Sequence, residues 1–422
     1  MRTAPIAICL TFLFPSILAA QTVTERLEKL EKDHQQLKEA YSKEIERLQF
    51  GSFVPALGES KFGLGPAASK VYAQDEGISI GGYGEFLYQQ ISGATDVFDA
   101  LRTVLYVGYK FDEKWVFNSE IEYEHGSTSS SSGTSSGGGS ASVEFSYLEY
   151  MACEGFNVRA GLLLVPMGFI NEMHEPTTYL SAQRPETERR IIPTTWRETG
   201  LGIHGACGNL SYKSNVFTSL NGEEFDKKGL RGGRQKGNRS AADDFAYVGG
   251  LDWSCDCGFT VGASVFYGDT GQDGVHKEGT KTYKIPAMRT TIVEGHAQYQ
   301  ADGWFVRGLY ASAFLENTGT FNMNTGENLA KRMHGYYGEV GYDVMKLVSS
   351  ESTQTVMPYF RYEMIDTQAK MARGYMPDRT QKETILTLGV HYRPIDEVVI
   401  KADFQALDEG DDRFQISFGY VF

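Results

Sequence analysis

The chain has 422 residues, with 54 Asp and Glu against 40 Lys and Arg, a formal net charge of −14. That acidic balance argues against a nucleic-acid partner, whose electrostatic footprint is basic. Abundant Gly (47), Tyr (24) and Phe (25) with little Pro (12) favours many short strands and turns over a helical fold.

Residues 1–20 join a basic start at Arg2, an apolar run from Ile6 to Leu18 and the small pair Ala19-Ala20. This is the pattern of a cleaved secretory signal peptide. Its removal takes away only Arg2, moving the net charge from −14 to −15. Beyond it there is no apolar run long enough for a transmembrane helix. From Val23 the apolar residues step by four and three through Leu27, Leu30, Leu37, Tyr41 and Leu48, with His34 and Glu44 as polar interruptions. The spacing predicts a coiled coil over 21–50. About four heptads are too short for a stable lone helix, so self-association is expected, as a trimer if the barrel is also trimeric, with a single solvated helix capping the barrel mouth as the alternative. Residues 51–77, with Gly51, Pro55, Gly58, Gly63, Gly65 and Pro66, read as a linker.

From Ile78 onward, period-2 alternation recurs between turn signals. It predicts sixteen strands: 78–91, 98–111, 115–125, 141–151, 156–165, 198–206, 209–220, 244–254, 258–267, 289–300, 304–315, 335–346, 354–366, 382–393, 397–407 and 412–422. Their connections are sorted by length. Short ones (112–114, 152–155, 207–208, 256, 301–303, 394–396) alternate with mostly long ones (126–140, 166–197, 221–243, 268–288, 316–334, 367–381), while 92–97 and 408–411 are short exceptions. A β-sandwich has no cause to sort its loops this way. A transmembrane barrel does, with short periplasmic turns and longer outer loops. The expected fold is therefore all-β: a 16-stranded antiparallel transmembrane β-barrel over 78–422, preceded by the short α-helical coiled coil. Trp115, Trp253 and Trp304 beside short turns would form a periplasmic aromatic girdle. In the last strand Phe414, Ile416, Phe418, Tyr420 and Phe422 share one face that only lipid would cover.

The same alternation aims Arg102, Asn118, Glu120, Glu122, Glu124, Arg159, Lys213, Glu294, Arg307, Glu339, Asp343, Arg361, Glu363, Lys401, Asp403 and Gln405 inward. A wet lumen of mixed sign, water-filled at the width of sixteen strands, follows. The longest connection, 166–197, carries Glu172, His174, Glu175, Arg184, Glu186, Glu188, Arg189, Arg190, Arg197 and Glu198 among four prolines and several apolar residues. Long loops of this kind are often functional. The expectation is an inward-folded constriction, with arginines facing carboxylates across the narrowest point. Loop 221–243, with Lys227, Lys228, Arg231, Arg234, Lys236 and Arg239, would gather anions or lipopolysaccharide phosphates at the mouth, or else stay solvated. The Ser/Gly-rich stretch 126–140 reads as low complexity. Cys153, Cys207, Cys255 and Cys257 lie at predicted periplasmic turns, where oxidising conditions favour rim disulfides with the pairing open. His174 with its flanking carboxylates makes no metal site, no activated Ser/His set is present, and no cofactor or enzymatic activity is expected.

The run Arg159-Ala-Gly-Leu-Leu-Leu-Val-Pro-Met-Gly168, then Asn171-Glu-Met-His-Glu-Pro176, Arg184-Pro-Glu186, Ile191-Ile-Pro-Thr-Thr-Trp196 and Gly200, resembles the phosphate-selective porin O/P-type family. The opening Gly81-Gly-Tyr-Gly-Glu85 resembles the first barrel strand of such porins. The resemblance spans about 78–422 and implies a trimeric outer-membrane diffusion channel, often preceded by a short coiled coil. It also implies that Phe422 is the handle read by the barrel-assembly machinery. The family's phosphate preference rests on a ladder of basic residues, and here the inward carboxylates are at least as numerous as the cations. The expected function is passive diffusion of small hydrophilic solutes through a homotrimer in the outer membrane of a diderm bacterium, with weak ion preference. The competing expectations are a tethering barrel with little open pore, and an anion-specific channel.

Overall fold

The computed structural model describes residues 23–50, 57–128, 138–349 and 352–422. The signal peptide expected over 1–20 and most of the Ser/Gly-rich stretch lie outside the described residues. Two compact units divide the chain, 1–53 and 54–422. The first is helix α1, Val23–Phe50. Leu27, Leu30, Leu37 and Tyr41 are all exposed along it. It is a single helix, and the coiled coil expected there is not shown.

The second unit is a closed barrel. Its strands are β1 (Gly77–Ile91), β2 (Val97–Lys110), β3 (Trp115–Glu124), β4 (Ala141–Cys153), β5 (Phe156–Leu164), β6 (Arg197–Cys207), β7 (Leu210–Thr218), β8 (Phe245–Ser254) and β9 (Phe259–Asp269). After a small hairpin, β10 (Val275–Glu278) and β11 (Lys281–Lys284), come β12 (Arg289–Ala301), β13 (Trp304–Leu315), β14 (Arg332–Tyr342), β15 (Thr355–Lys370), β16 (Lys382–Ile395), β17 (Val398–Leu407) and β18 (Arg413–Val421). Sixteen of these pair antiparallel with their neighbours, β9 joins β12 past the hairpin, and β18 closes onto β1. Phe422 completes the seam, exchanging backbone hydrogen bonds with Gly82 at 3.0 and 2.9 Å. The hairpin inside 268–288 was not expected, because its two four-residue strands are too short to give a period-2 signal.

Alternation decides what each strand shows to either side. In β17, Lys401, Asp403 and Gln405 are buried inward while Ile400 and Phe404 are more than 40% exposed. Exposed aromatic and aliphatic side chains recur around the whole outer wall, a surface for lipid rather than water. Trp115, Trp253 and Trp304 sit on it beside the short turns, with Trp115 against Tyr150 and Trp304 against Tyr342, each at 4.9 Å.

The core lies inside the barrel. The connection between β5 and β6 folds into the lumen, and so does the stretch before β1. That stretch, expected to be a linker over 51–77, packs through its described part: Leu64, Ala67, Ala68, Ser69, Lys70 and Val71 are all buried. Its glycines and Pro66 suggested a flexible chain, but its apolar residues have a wall to pack against. Two barrel glycines make room, since a Cβ on Gly108 would lie 2.6 Å from Val71 Cγ2 and one on Gly81 3.0 Å from the Ala67 carbonyl. The expected water-filled lumen is thus largely filled by protein.

Candidate functional site

Between β5 and β6 the chain buries Val165, Met167, Ile170, Ile191, Ile192 and Trp196 completely or nearly so. At about 1.5–3 kcal/mol per buried large apolar side chain, this burial draws the loop out of water and into the lumen. Asn171 ties its two ends together. Its Nδ2 donates to the carbonyls of Val165 (2.6 Å) and Trp196 (2.8 Å), and its Oδ1 accepts from Trp196 N (2.5 Å). The indole of Trp196 packs on Phe266 at 5.1 Å. A single turn of helix, α2 (Glu186–Arg190), carries the loop across toward β14 and β15.

Most of the loop's charges are engaged in pairs or buried hydrogen bonds. Glu175 accepts from Ala67 N (3.1 Å) and Ala68 N (3.0 Å), joining the loop to the stretch before β1. Glu188 accepts from Ile170 N (2.8 Å) and the Tyr337 hydroxyl (2.6 Å). Glu172 pairs with Lys213, Glu186 with Arg189 (2.6 Å), Arg190 with Glu383 (2.7 Å) and Arg197 with Glu144 (2.8 Å). Glu198 accepts from Gln235 N at 2.8 Å. The ring nitrogens of His174 lie 3.0 Å from the Asn171 carbonyl and 3.1 Å from Glu120. Burial pushes Glu175 and Glu188 up to about 7 against the backbone and Tyr337 donors that favour the charged forms. Burial, helped by the nearby cations Arg184 and Arg102, pushes His174 down to about 3.

The wall charges brace the loop and one another. Arg102 lies 2.9 Å from Glu85 and 3.6 Å from Glu122, and Arg159 pairs with Glu149 at 3.0 Å. Lys401 donates to the Ser181 carbonyl (3.1 Å), and Asp403 accepts from Ala182 N (2.6 Å). Arg361 donates to the Ser181 hydroxyl and lies 3.7 Å from Glu339, which is 3.9 Å from Arg307. Glu294 accepts from Ser264 (2.6 Å) and contacts His296 (2.9 Å).

Open space remains on both faces of the loop. Toward the long connections lie cavities of about 810 and 390 Å³ that share Glu186, Arg189, Arg231 and Arg413. Nine cationic side chains line them (Arg102, Arg184, Arg189, Arg190, Lys228, Arg231, Arg234, Lys236 and Arg413) against four carboxylates (Glu124, Glu186, Asp226 and Glu383), so this vestibule is basic. Among the described residues, Nε and Nη2 of Arg184 and Nη1 of Arg231 are buried without a hydrogen-bond partner. Burial, then the fields of Arg234, Arg189 and Arg184, push the Arg231 guanidinium down to about 9, still charged at neutral pH. On the other face, toward the short turns, a cavity of about 630 Å³ is lined by Glu172, Lys213, Asp252, His296, Arg307 and His391 among others.

Loop 221–243 contributes more than its charges promised. Phe225 and Leu230 are buried, Arg234 donates to the Thr195 carbonyl, and Gln235 reaches the Ser219 and Ala241 carbonyls at 2.7 and 2.9 Å. Phe225 and Leu230 within an otherwise polar stretch were the available signal for docking. Cys255 and Cys257 are bonded within one turn, their Cα atoms 5.1 Å apart, while Cys153 and Cys207 are exposed free thiols. That pairing excludes a bridge from Cys207 to Cys255, and Cys153 and Cys207 are not joined to each other.

No family model matches the chain, so the resemblance to phosphate-selective porins gains no support from that comparison. Over 381 residues the chain is 35% identical to a protein of Aquifex aeolicus (strain VF5) described only as uncharacterised, an overlap covering 87% of this chain and 84% of that one. Among solved structures, the trimer form of OmpT, an outer membrane protein of Vibrio cholerae, superposes with a TM-score of 0.54 at 12% identity, over 83% of this chain and 100% of that one. OmpF of Salmonella typhi, in complex with daunomycin, gives 0.54 at 16% identity, over 82% and 98%. At such identities the likeness is one of fold, that of outer-membrane barrels.

Proposed function

This chain belongs to the same family as the Aquifex aeolicus protein, and from its closed sixteen-stranded barrel we propose that it is an outer-membrane porin passing small hydrophilic solutes by diffusion. In this reading the short turns face the periplasm, the long loops face outside, and the lining charges select without catalysis. The basic vestibule carries the finer proposal that anions are favoured over cations, because the cations lining it outnumber the carboxylates nine to four. Helix α1 would self-associate in the periplasm through Leu27, Leu30, Leu37 and Tyr41, matching a trimeric barrel. Outer-membrane lipid and lipopolysaccharide would surround the wall, and Phe422 would be the handle for the barrel-assembly machinery.

The reversal potential of the purified channel in a planar bilayer under a KCl gradient tests the selectivity. It is expected on the anion side, and replacing Arg184 and Arg231 by serine should move it toward zero. A cation-side potential, or one the double substitution leaves unmoved, would overturn the assignment. A tethering barrel with little open lumen is the second reading, and the filling of the lumen by the loop and by residues 57–76 favours it.

A further inference from the structure

The stretch before β1 has a defined bed. Ala68 O accepts from Asn118 Nδ2 of β3 at 2.9 Å, and Tyr72 donates to Glu149 of β4, a carboxylate also bound by Arg159 and His204. Phe62 packs on the His204 ring of β6 at 4.8 Å. Lys110 at the end of β2 donates to the Gln74 carbonyl at 2.6 Å, and Val71 fills the space over Gly108. All of these partners lie on the wall from β2 to β6, near the short turns. The cavity at that end is lined from the other side, from β8 round to β16, by residues such as Asp252, Thr260, His296, Arg307 and His391. Gly63 is the stretch's own residue at the cavity's edge.

We infer that residues 57–76 are a resident stopper that closes the β2–β6 side of the lumen at its short-turn end and confines solute passage to the side from β8 to β16. Solute passage rests on the porin reading; the stopper itself does not. The buried charge cluster of Glu149, Arg159 and His204 would need water if the stretch left, and Tyr72 supplies a donor to it instead. Glu175 latches the stopper to the constriction loop through two backbone amides, so the two lumen-filling elements hold each other. The route left open is one-sided, and its walls carry both signs of charge.

Thiol labelling of the folded full chain tests the placement without relying on conduction. With Cys153 and Cys207 changed to serine, a water-soluble maleimide should modify Thr260→Cys readily and Ala68→Cys at least about tenfold more slowly, the protection given by a packed segment. Adding Gly108→Trp, which occupies the seat of Val71, should abolish that protection. Equal labelling at the two positions in the full chain would overturn the stopper. In bilayers, deleting 58–75 should raise unit conductance and admit larger uncharged polymers; a folded, conducting deletion variant with unchanged conductance and cutoff would overturn the confinement. If the full chain and the deletion are both silent while the labelling contrast holds, the porin reading fails and the stopper stands.

Discussion

Replacing Asn171 by alanine is expected to raise the unit conductance about twofold or more while leaving the barrel folded. The side chain serves three backbone groups at the neck of the loop, the carbonyls of Val165 and Trp196 and the amide of Trp196. Each buried group left without a partner costs about 1–3 kcal/mol. Of the three only the Trp196 amide relies on Asn171 alone, since the Val165 carbonyl also accepts from Met167 N (2.9 Å) and the Trp196 carbonyl from Val165 N (3.0 Å). The barrel strands keep their own ladders, because β5 and β6 pair from Asn157–His204 to Leu164–Arg197 independently of this side chain. The loop should therefore loosen into the basic vestibule, widening the narrowest section. Single-channel recording checks this, with retained heat-modifiable migration on gels as the sign of an intact barrel. Unchanged conductance would mean that the apolar packing alone holds the loop.

The second large effect is on stability against pH. Glu175 and Glu188 have folded values near 7, above the usual 4.5, so their contribution is fully present below about 4.5 and is lost as pH rises through 7. Between pH 5 and 8 each gives up roughly two pH units' worth, ~3 kcal/mol. His174 works the other way. Held near 3 against a usual 6.5, it costs stability as pH falls below 6.5, ~2 kcal/mol over the same span. Two carboxyls outweigh one imidazole, so these three groups together favour pH 5 over pH 8. In the double substitution Glu175→Gln, Glu188→Gln only the imidazole contribution remains. The expected result is a wild-type unfolding temperature that falls relative to the variant's as pH rises from 5 through 7 and then levels off. A constant difference would show that these carboxyls do not titrate across folding.

How much of this was legible in the sequence depended on the range of the interaction. The strands were, because period-2 alternation is written residue by residue, and each of the sixteen expected segments overlaps an observed one. The inward fold of 166–197 was also readable, since Met167, Ile170, Ile191, Ile192 and Trp196 in a long loop must pack somewhere. The pairing of its charges was not. Glu175 finds its donors 107 and 108 residues away, and Glu188 meets Tyr337 across 149, separations that leave no local pattern. The stretch before β1 was misread because Gly58, Gly63, Gly65 and Pro66 outweighed Leu57, Phe62, Leu64, Val71 and Tyr72. Those five apolar or aromatic residues in a supposed linker were the signal that it had a bed.

The vestibule illustrates a different limit. Its basic character comes from Arg184 and Arg189 of one loop, Arg231 and Arg234 of another, Arg102 of β2 and Arg413 of β18, six residues from four separate parts of the chain. A count of inward charges along the strands suggested a lumen at least as acidic as basic. The docking of loop 221–243 over the mouth changes that balance at one end only, and alternation along strands carries no information about where a loop docks.

Swelling of proteoliposomes in isotonic solutions of small uncharged sugars tests the central claim most directly, because it asks only whether hydrophilic solutes cross the folded protein. Vesicles carrying the purified full chain should swell at a rate that rises with protein content and falls steeply with sugar size. Vesicles that remain as tight as protein-free ones, with the barrel shown to be folded and inserted, would contradict the porin account and leave the tethering barrel in its place.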